Sequence, residues 1–226
     1  MNASITLYTS SFSQNALRPE LALLEKGLPF RKVEVDLLQG EHQRPPLSDL
    51  TPRRQVPTLV YGTGAEDIVV YESIATLYFL EDMHPEPALM PPLADPRRRA
   101  LAHMRIAEFQ AKLDPKNIFG SVAFRRQGRE QLGSRVDDLV AELSRWDAYL
   151  EGQSWLAGDR FTLADIAVFP LLMHFEALGF DFAARTPALG AYVARCKARP
   201  SVQASGWLDS FAAFVSQRAP EPVLAD

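Results

Sequence analysis

The chain has 226 residues, of which 47% are hydrophobic and 23% are charged, a composition typical of a globular protein with one large domain or two smaller ones. Its formal net charge of -4 provides no broad basic field for nucleic-acid phosphates, and no stretch has the apolar length of a membrane span. A single cysteine, Cys196, excludes an internal disulfide, and four scattered histidines provide no metal-ligand spacing.

The first part of the chain alternates between strand and helix patterns. Residues 5–8 are predicted to form a short strand, and residues 14–26 a helix, because leucines recur there at helical spacing and a glycine follows. Residues 30–35 alternate apolar and charged side chains, which is typical of a half-buried strand. The two strands are therefore predicted to be parallel, as in a βαβ unit.

A hairpin and a helix are predicted next. Residues 59–61 and 68–71 flank the sequence Gly62-Thr63-Gly64, which predicts two antiparallel strands joined by a slightly long loop. Residues 72–82 follow as a helix. The order βαβ and then ββα predicts a thioredoxin-like domain over residues 1–83.

A proline-dense segment, HPEPALMPPLADP, predicts a linker over residues 84–96. The remainder, residues 97–226, has helical patterns throughout, which predicts an all-helical domain. The helices are predicted at residues 101–113, 136–150, from Thr162 onward, 187–198 and 202–215. Thr162 and Asp165 form a capping-box pattern, which indicates a structural role rather than a site.

One proline stands in an unexpected place, inside the strand-like sequence RQVPTLVY. Proline cannot donate to a strand ladder and is usually confined to sheet edges, bulges or turns. We therefore expect Pro57 at the head of an edge strand, with Val56 extended and its backbone groups unused by the sheet. Such a backbone could pair with a visiting peptide, although a proline that only protects an edge from aggregation would look the same.

Several segments, in their order along the chain, carry a resemblance to a known family. They are LYTSSFSQ, LLEKGLPF, QVPTLV, YESIATLYFLED, WLAGDRFTLADIAVFP and CKARPSVQA. Together, over nearly the whole chain, they are similar to cytosolic glutathione transferases of bacterial type. The sequence LRPELALLEKGLPF also resembles glutathione-dependent β-etherases, whereas the SQ dipeptide and the GEH segment resemble the theta and zeta classes.

The resemblance implies a thioredoxin-like N-terminal domain and an all-α C-terminal domain that contributes an electrophile pocket. It implies that glutathione is the co-substrate, added to small hydrophobic electrophiles. Two alternatives stay open: a specialised isomerase of the maleylacetoacetate type or β-aryl-ether-cleaving lyase, and a non-catalytic binding module. The resemblance further implies a homodimer in the cytoplasm, with no nucleic-acid or membrane partner.

The same resemblance implies which residues hold glutathione. Pro57 matches a cis-proline, and Val56 before it is expected to pair with the cysteinyl backbone of the tripeptide. Ser73 is expected to cap the following helix and, with its N-terminus, to bind the γ-glutamyl carboxylate, while Glu72 faces the ammonium. An acid beside a capped helix is also common without any ligand.

The glycyl end of glutathione has looser candidates. Arg53, Arg54 and His42 lie in segments where relatives keep basic or histidine side chains for the glycyl carboxylate. Arginine offers a planar fork for a carboxylate, whereas a histidine in a polar loop is often only solvated. Gln55 is a further hydrogen-bonding candidate.

Catalysis in such a family requires a donor that stabilises the thiolate of glutathione. Ser13 is the leading candidate, because it lies where serine-type relatives keep the catalytic hydroxyl. Ser10, Ser11 and Asn15 stay open, since Ser and Asn also serve as turn residues and helix caps. The loop contains no cysteine, which disfavours exchange through a mixed disulfide with the protein.

The electrophile pocket is expected between the two domains. The candidate lining residues are Phe12, Phe109, Phe119 and Trp207, with Ile118 and Phe211 as further candidates. Aromatic residues at such positions are also common in cores. Cys196 is expected to be a packed bystander.

Overall fold

The computed structural model describes residues 4–62 and 66–225, and its N-terminal part contains a four-stranded sheet. The strands are β1 (Ser4–Thr9), β2 (Arg31–Glu34), β3 (Thr58–Gly62) and β4 (Asp67–Tyr71), in the spatial order β2-β1-β3-β4. β1 pairs with β2 in parallel, whereas β3 is antiparallel to both β1 and β4. The predicted βαβ and ββ arrangement is confirmed. Thr63 and Gly64 of the predicted hairpin loop lie outside the described residues.

The position of β3 corrects one prediction. β3 is an inner strand between β1 and β4, not an edge strand. Pro57 is tolerated because it precedes the first strand residue, Thr58, so its missing N–H interrupts no ladder. The local pattern around a proline does not reveal which strands become its neighbours.

Helices cover the sheet and form two apolar clusters with it. α1 (Gln14–Glu25) packs against α3 (Ser73–Met83), and both contribute to the main core together with inward-facing residues such as Leu7. Tyr8 belongs to a smaller cluster with Leu47 of the short helix α2 (Leu47–Leu50). Successive strand residues point to opposite faces, so the two clusters lie on opposite sides of β1.

The rest of the chain is helical and surrounds one buried helix, α8. The helices are α4 (Pro96–Glu108), α5 (Phe119–Ala123), α6 (Arg129–Leu132), α7 (Ser134–Leu150), α8 (Leu163–Ala177), α9 (Phe182–Arg185), α10 (Pro187–Lys197), α11 (Pro200–Ser205) and α12 (Trp207–Arg218). Every residue from Leu163 to Phe175 is buried, as expected for a helix that is apolar on all sides. The predicted capping box of Thr162 and Asp165 begins it.

Two helices differ from the sequence prediction. α4 begins at Pro96, capped by Asp95, and is followed by a π-helical turn at Phe109–Leu113. The single helix predicted at residues 202–215 is wrong, because Gly206 adopts a left-handed conformation (φ 64°) and separates α11 from α12. Glycine after a helix end is a known stop signal, since it has no Cβ to resist positive φ.

The predicted fold class, a thioredoxin-like domain followed by an all-α part, is confirmed. α1 is the element that joins the two parts, because it contacts α3 on one side and α8 and α11 on the other. In the described part of the chain, no helix is long and apolar enough to cross a membrane.

Candidate active site

A cavity of about 420 Å³ lies where the start of α1, the segment before β3 and the start of α3 meet the π-helical turn of the helical part. Of the eight residues predicted to bind glutathione, six line it. They are Arg53, Gln55, Val56, Pro57, Glu72 and Ser73. The lining does not include Arg54 or His42.

Val56 presents unused backbone to this cavity. The Val56–Pro57 peptide bond is cis, as the resemblance implied. In the described part of the chain, no hydrogen bond to another backbone group occupies the Val56 N–H or carbonyl, although the residue is only 9% exposed. Buried backbone groups are nearly always paired, so an unpaired pair beside a cavity indicates a place for a ligand.

The start of α3 forms the second wall of the cavity. Its N-cap residue differs from the predicted one. Glu72, not Ser73, is the N-cap residue, and Ser73 is the first residue of the helix. The first backbone bond within the helix runs from Thr76 N–H to the Glu72 carbonyl (2.9 Å), so the N–H groups of Ser73, Ile74 and Ala75 come before it. These donors and the positive end of the helix favour an anion.

Glu72 has an unusual backbone for its residue type. Its φ is 67° and its ψ is 114°, in a region that residues with a Cβ rarely adopt. Such strain costs about 1–3 kcal/mol and tends to occur at functional sites. Glu72, held in this conformation at the N-cap of α3, also lines the cavity.

Arg18 is a cavity residue that the sequence interpretation did not select. It is 2% exposed, and burial lowers the pKa of its guanidinium to about 10, which the charge of Asp114 partly opposes. The side chain therefore stays protonated at neutral pH. A charged residue on the apolar stripe of a helix, one turn after Gln14 and one turn before Leu21, was the signal available in the sequence.

The helical part contributes three residues to the cavity, in and directly after its π-helical turn. They are Phe109, Gln110 and Asp114. The Asp114 carboxylate lies 3.9 Å from Arg18 and accepts a hydrogen bond from Gln14 Nε2 (3.3 Å). Because some 100 residues separate these partners, only the tertiary structure brings them together.

The four catalytic candidates lie in the loop between β1 and α1 and in the first turn of α1, and their surroundings differ. Ser10 is buried, Ser13 is the N-cap of α1 and accepts a hydrogen bond from Ala16 N–H (3.3 Å), and the Ser11 backbone donates to Glu34. None of these serines lines the cavity, whereas Asn15 does.

The four aromatic candidates for the electrophile pocket divide in a similar way. Phe109 lines the cavity, and Phe12 stacks on Phe214 at a centroid distance of 4.3 Å. Phe119 and Trp207 are buried in the core of the helical part, each packed against Phe211. The other two named candidates, Ile118 and Phe211, are also buried core residues.

Comparison with known proteins identifies the family. The chain matches the family models for the glutathione S-transferase N-terminal domain over residues 12–83 and C-terminal domain over residues 119–200. It is 31% identical to glutathione S-transferase 1 of Dianthus caryophyllus over 183 residues, which cover 78% of this chain and 80% of the relative. This chain belongs to the glutathione transferase family.

Two further relatives refine the comparison. Maleylacetoacetate isomerase of Pseudomonas aeruginosa is also 31% identical, over 76% of this chain and 82% of the relative. A glutathione transferase family member from Pseudomonas fluorescens, solved with two glutathione bound, has a TM-score of 0.76 at 25% identity, covering 89% of this chain and 91% of that one. The predicted family membership is confirmed.

Proposed function

We propose that the protein binds glutathione in the cavity beside Val56, stabilises its thiolate and transfers it to small electrophilic molecules. The observation that carries this proposal is the convergence on one cavity of the unpaired Val56 backbone, the N-terminus of α3 and Asn15 in the first turn of α1. The charges of the lining also suit glutathione. The lining has two positively charged side chains, Arg18 and Arg53, and two negatively charged ones, Glu72 and Asp114. Glutathione carries two carboxylates and one ammonium.

The parts of the tripeptide map onto three walls of the cavity. The N–H groups at the start of α3 and the Ser73 hydroxyl bind the γ-glutamyl carboxylate, and Glu72 binds the neighbouring ammonium. Val56 pairs with the cysteinyl backbone as a short strand would. Gln55 and Arg53, which also line the cavity, bind the glycyl carboxylate in this arrangement.

This arrangement directs the sulfur toward the start of α1. A free thiol with a pKa near 8.5 is only a few per cent ionised at neutral pH, and each unit of lowering requires about 1.4 kcal/mol of preferential stabilisation of the anion. We propose Asn15 as the donor, because it lines the cavity and lies in the first turn of α1, whose dipole also favours a thiolate. Ser13 remains the hydroxyl alternative.

Binding is tested by calorimetry with glutathione. Ser73→Ala and Glu72→Gln should each weaken binding by roughly tenfold, since a hydrogen bond to a charged group contributes about 1.5–3 kcal/mol. Ser210→Ala, an exposed serine on α12, is the matched control and should bind like the wild type. Unchanged affinity in both site variants would remove the proposed mode of binding.

Chemistry is tested by the thiol pKa of bound glutathione and by the rate with a model aryl halide. Asn15→Ala should raise that pKa and lower the rate, whereas Ser13→Ala should do neither beyond a small loss of stability from the missing cap. The reverse result would make Ser13 the donor. Tight binding without any turnover, over a panel of electrophiles, would favour the non-catalytic alternative.

A glutathione-dependent isomerase is a second candidate, because the isomerase relative is as similar to this chain as the plant transferase. An isomerase adds glutathione to a double bond and releases it again, so it consumes none. A transferase consumes one glutathione for each product. Titration of free thiol during turnover of maleylacetoacetate separates the two activities.

We also propose that the protein is a cytoplasmic homodimer with a role in detoxification, as its resemblance to cytosolic transferases implied. Small hydrophobic electrophiles are the second substrates under this proposal, and Phe109, which lines the cavity, is an aromatic contact for them. Sedimentation at micromolar concentration tests the assembly, because the chain alone has a mass of 25.2 kDa.

A further inference from the structure

Arg18 makes contacts with four parts of the protein from one buried position. Its Nε donates to the carbonyl of Ala167 in α8 (2.8 Å), and its Nη2 donates to Gln14 Oε1 (2.6 Å). Its Nη1 donates to Ser73 Oγ (3.0 Å) and to Asn15 Oδ1. Its face lies 4.7 Å from the centre of the Phe109 ring.

These contacts determine which way the neighbouring polar groups point. A guanidinium has only donors, so the Asn15 amide must turn its oxygen toward Arg18 and its Nδ2 hydrogens away from it. The Ser73 hydroxyl likewise accepts from Arg18, which leaves its own hydrogen free to donate elsewhere. Asn15 and Ser73 both line the cavity, so two donors face the space where a ligand binds.

We propose that Arg18 is a positioning residue, which holds Asn15 and Ser73 as hydrogen-bond donors toward the thiolate and the γ-glutamyl carboxylate of glutathione. This inference rests on the proposed function. Without Arg18, the Asn15 amide is free to rotate and present its oxygen, which repels a thiolate. The Ser73 hydroxyl is then equally free to point its hydrogen at another acceptor.

The geometry requires an arginine rather than any cation. The planar fork reaches Gln14, Asn15 and Ser73 at once while Nε remains fixed on Ala167. A lysine at this position keeps the positive charge but has one nitrogen, which cannot satisfy four acceptors on separate sides. Arg18→Lys therefore separates the effect of orientation from the effect of charge.

The test measures the pKa of bound glutathione from the ultraviolet absorbance of its thiolate. Arg18→Lys should raise the thiol pKa by about one unit, which is a tenfold fall in the ratio of thiolate to thiol. It should also weaken the binding of S-methylglutathione, which has no thiol and so reports the contact through Ser73. Arg199→Lys is the matched control, because Arg199 also joins α1 to the helical part, through Glu25, but lies away from the cavity. It should lower thermal stability without a change in the thiol pKa.

A double-mutant cycle shows whether Arg18 acts through Asn15. In an Asn15→Ala background, Arg18→Lys should no longer change the thiol pKa, because the amide that it orients is gone. Asn15 is exposed, so Asn15→Ala remains informative even if Arg18→Lys does not fold. A thiol pKa unchanged by Asn15→Ala, or additive shifts in the cycle, would overturn the positioning role while glutathione binding stands. Failure of the wild type to bind glutathione would instead overturn the proposed function itself.

Discussion

His174 should make the stability of the protein depend on pH. The imidazole is 6% exposed, stacks on Phe119 at a centroid distance of 4.1 Å and lies 5.2 Å from Phe211. Burial lowers its pKa from 6.5 to about 3; the backbone of Phe12 opposes this change, and the charge of Arg18 adds to it. His174 is therefore neutral in the folded protein at all ordinary pH values.

The direction of the effect follows from proton binding. Between pH 6.5 and about 3, the unfolded chain binds a proton at this position and the folded chain does not, so stability falls as the pH falls. The free energy of unfolding should decrease by about 1.4 kcal/mol at about pH 5.5 and by about 2.7 kcal/mol at about pH 4.5, relative to neutral pH. Above about pH 7 the contribution no longer changes.

His174→Phe removes the titrating group and keeps an aromatic ring in the aromatic cluster. Urea unfolding of both proteins, at one fixed chain concentration and several pH values, gives the difference in stability. That difference should shift in favour of the variant by about 2.7 kcal/mol between about pH 7.5 and about pH 4.5. The buried carboxyl of Asp165, whose pKa is raised to about 6 by burial, is present in both proteins and cancels.

The result that refutes this reasoning is a difference that does not vary with pH. Such a result would mean that the folded protein accommodates a charged imidazole at this position, for example by opening the cluster around Phe119. The matched control is His103→Gln, which removes an exposed imidazole instead of the buried one.

Three further variants test other features of the structure. Gly206→Ala should cost about 1 kcal/mol in urea unfolding, because the left-handed backbone disfavours a Cβ. Crowding does not add to this cost, since no described atom beyond the two adjoining residues lies within 4 Å of the added Cβ. An unchanged midpoint would argue for one continuous helix. Lys26→Met should cost about 3 kcal/mol or more, since it leaves half-buried Glu81 and two carbonyls without their buried ammonium partner. Thermal unfolding measures this, and a loss below about 1 kcal/mol contradicts it. Glu72→Gly should raise stability by about 0.5–1 kcal/mol, because glycine relieves the strain of the positive φ. The same variant should weaken glutathione binding in calorimetry, because it removes the carboxylate. Unchanged binding would argue against a role for that carboxylate.

Local signals determined much of the fold. The βαβ order, the amphipathic stripe of α7 and the capping box of Thr162 depend on residues within a few positions of one another, so the sequence alone predicts them. The family resemblance further predicted the cis bond before Pro57 and the places of Val56 and Glu72 at the binding site. Gly206 was also a helix stop signal in the sequence, but the helical patterns on both sides of it led to the prediction of one continuous helix.

Only the tertiary structure determined which side chains meet at the cavity. Arg18 contacts Ser73 across 55 positions and Ala167 across 149, and Asp114 reaches Gln14 across 100. No local pattern determines such contacts, because they depend on how α1 packs between the sheet and α8. The same packing places Asn15 in the cavity and leaves the neighbouring serines outside its lining, although in the sequence they look equally suited to donate a hydrogen bond to sulfur.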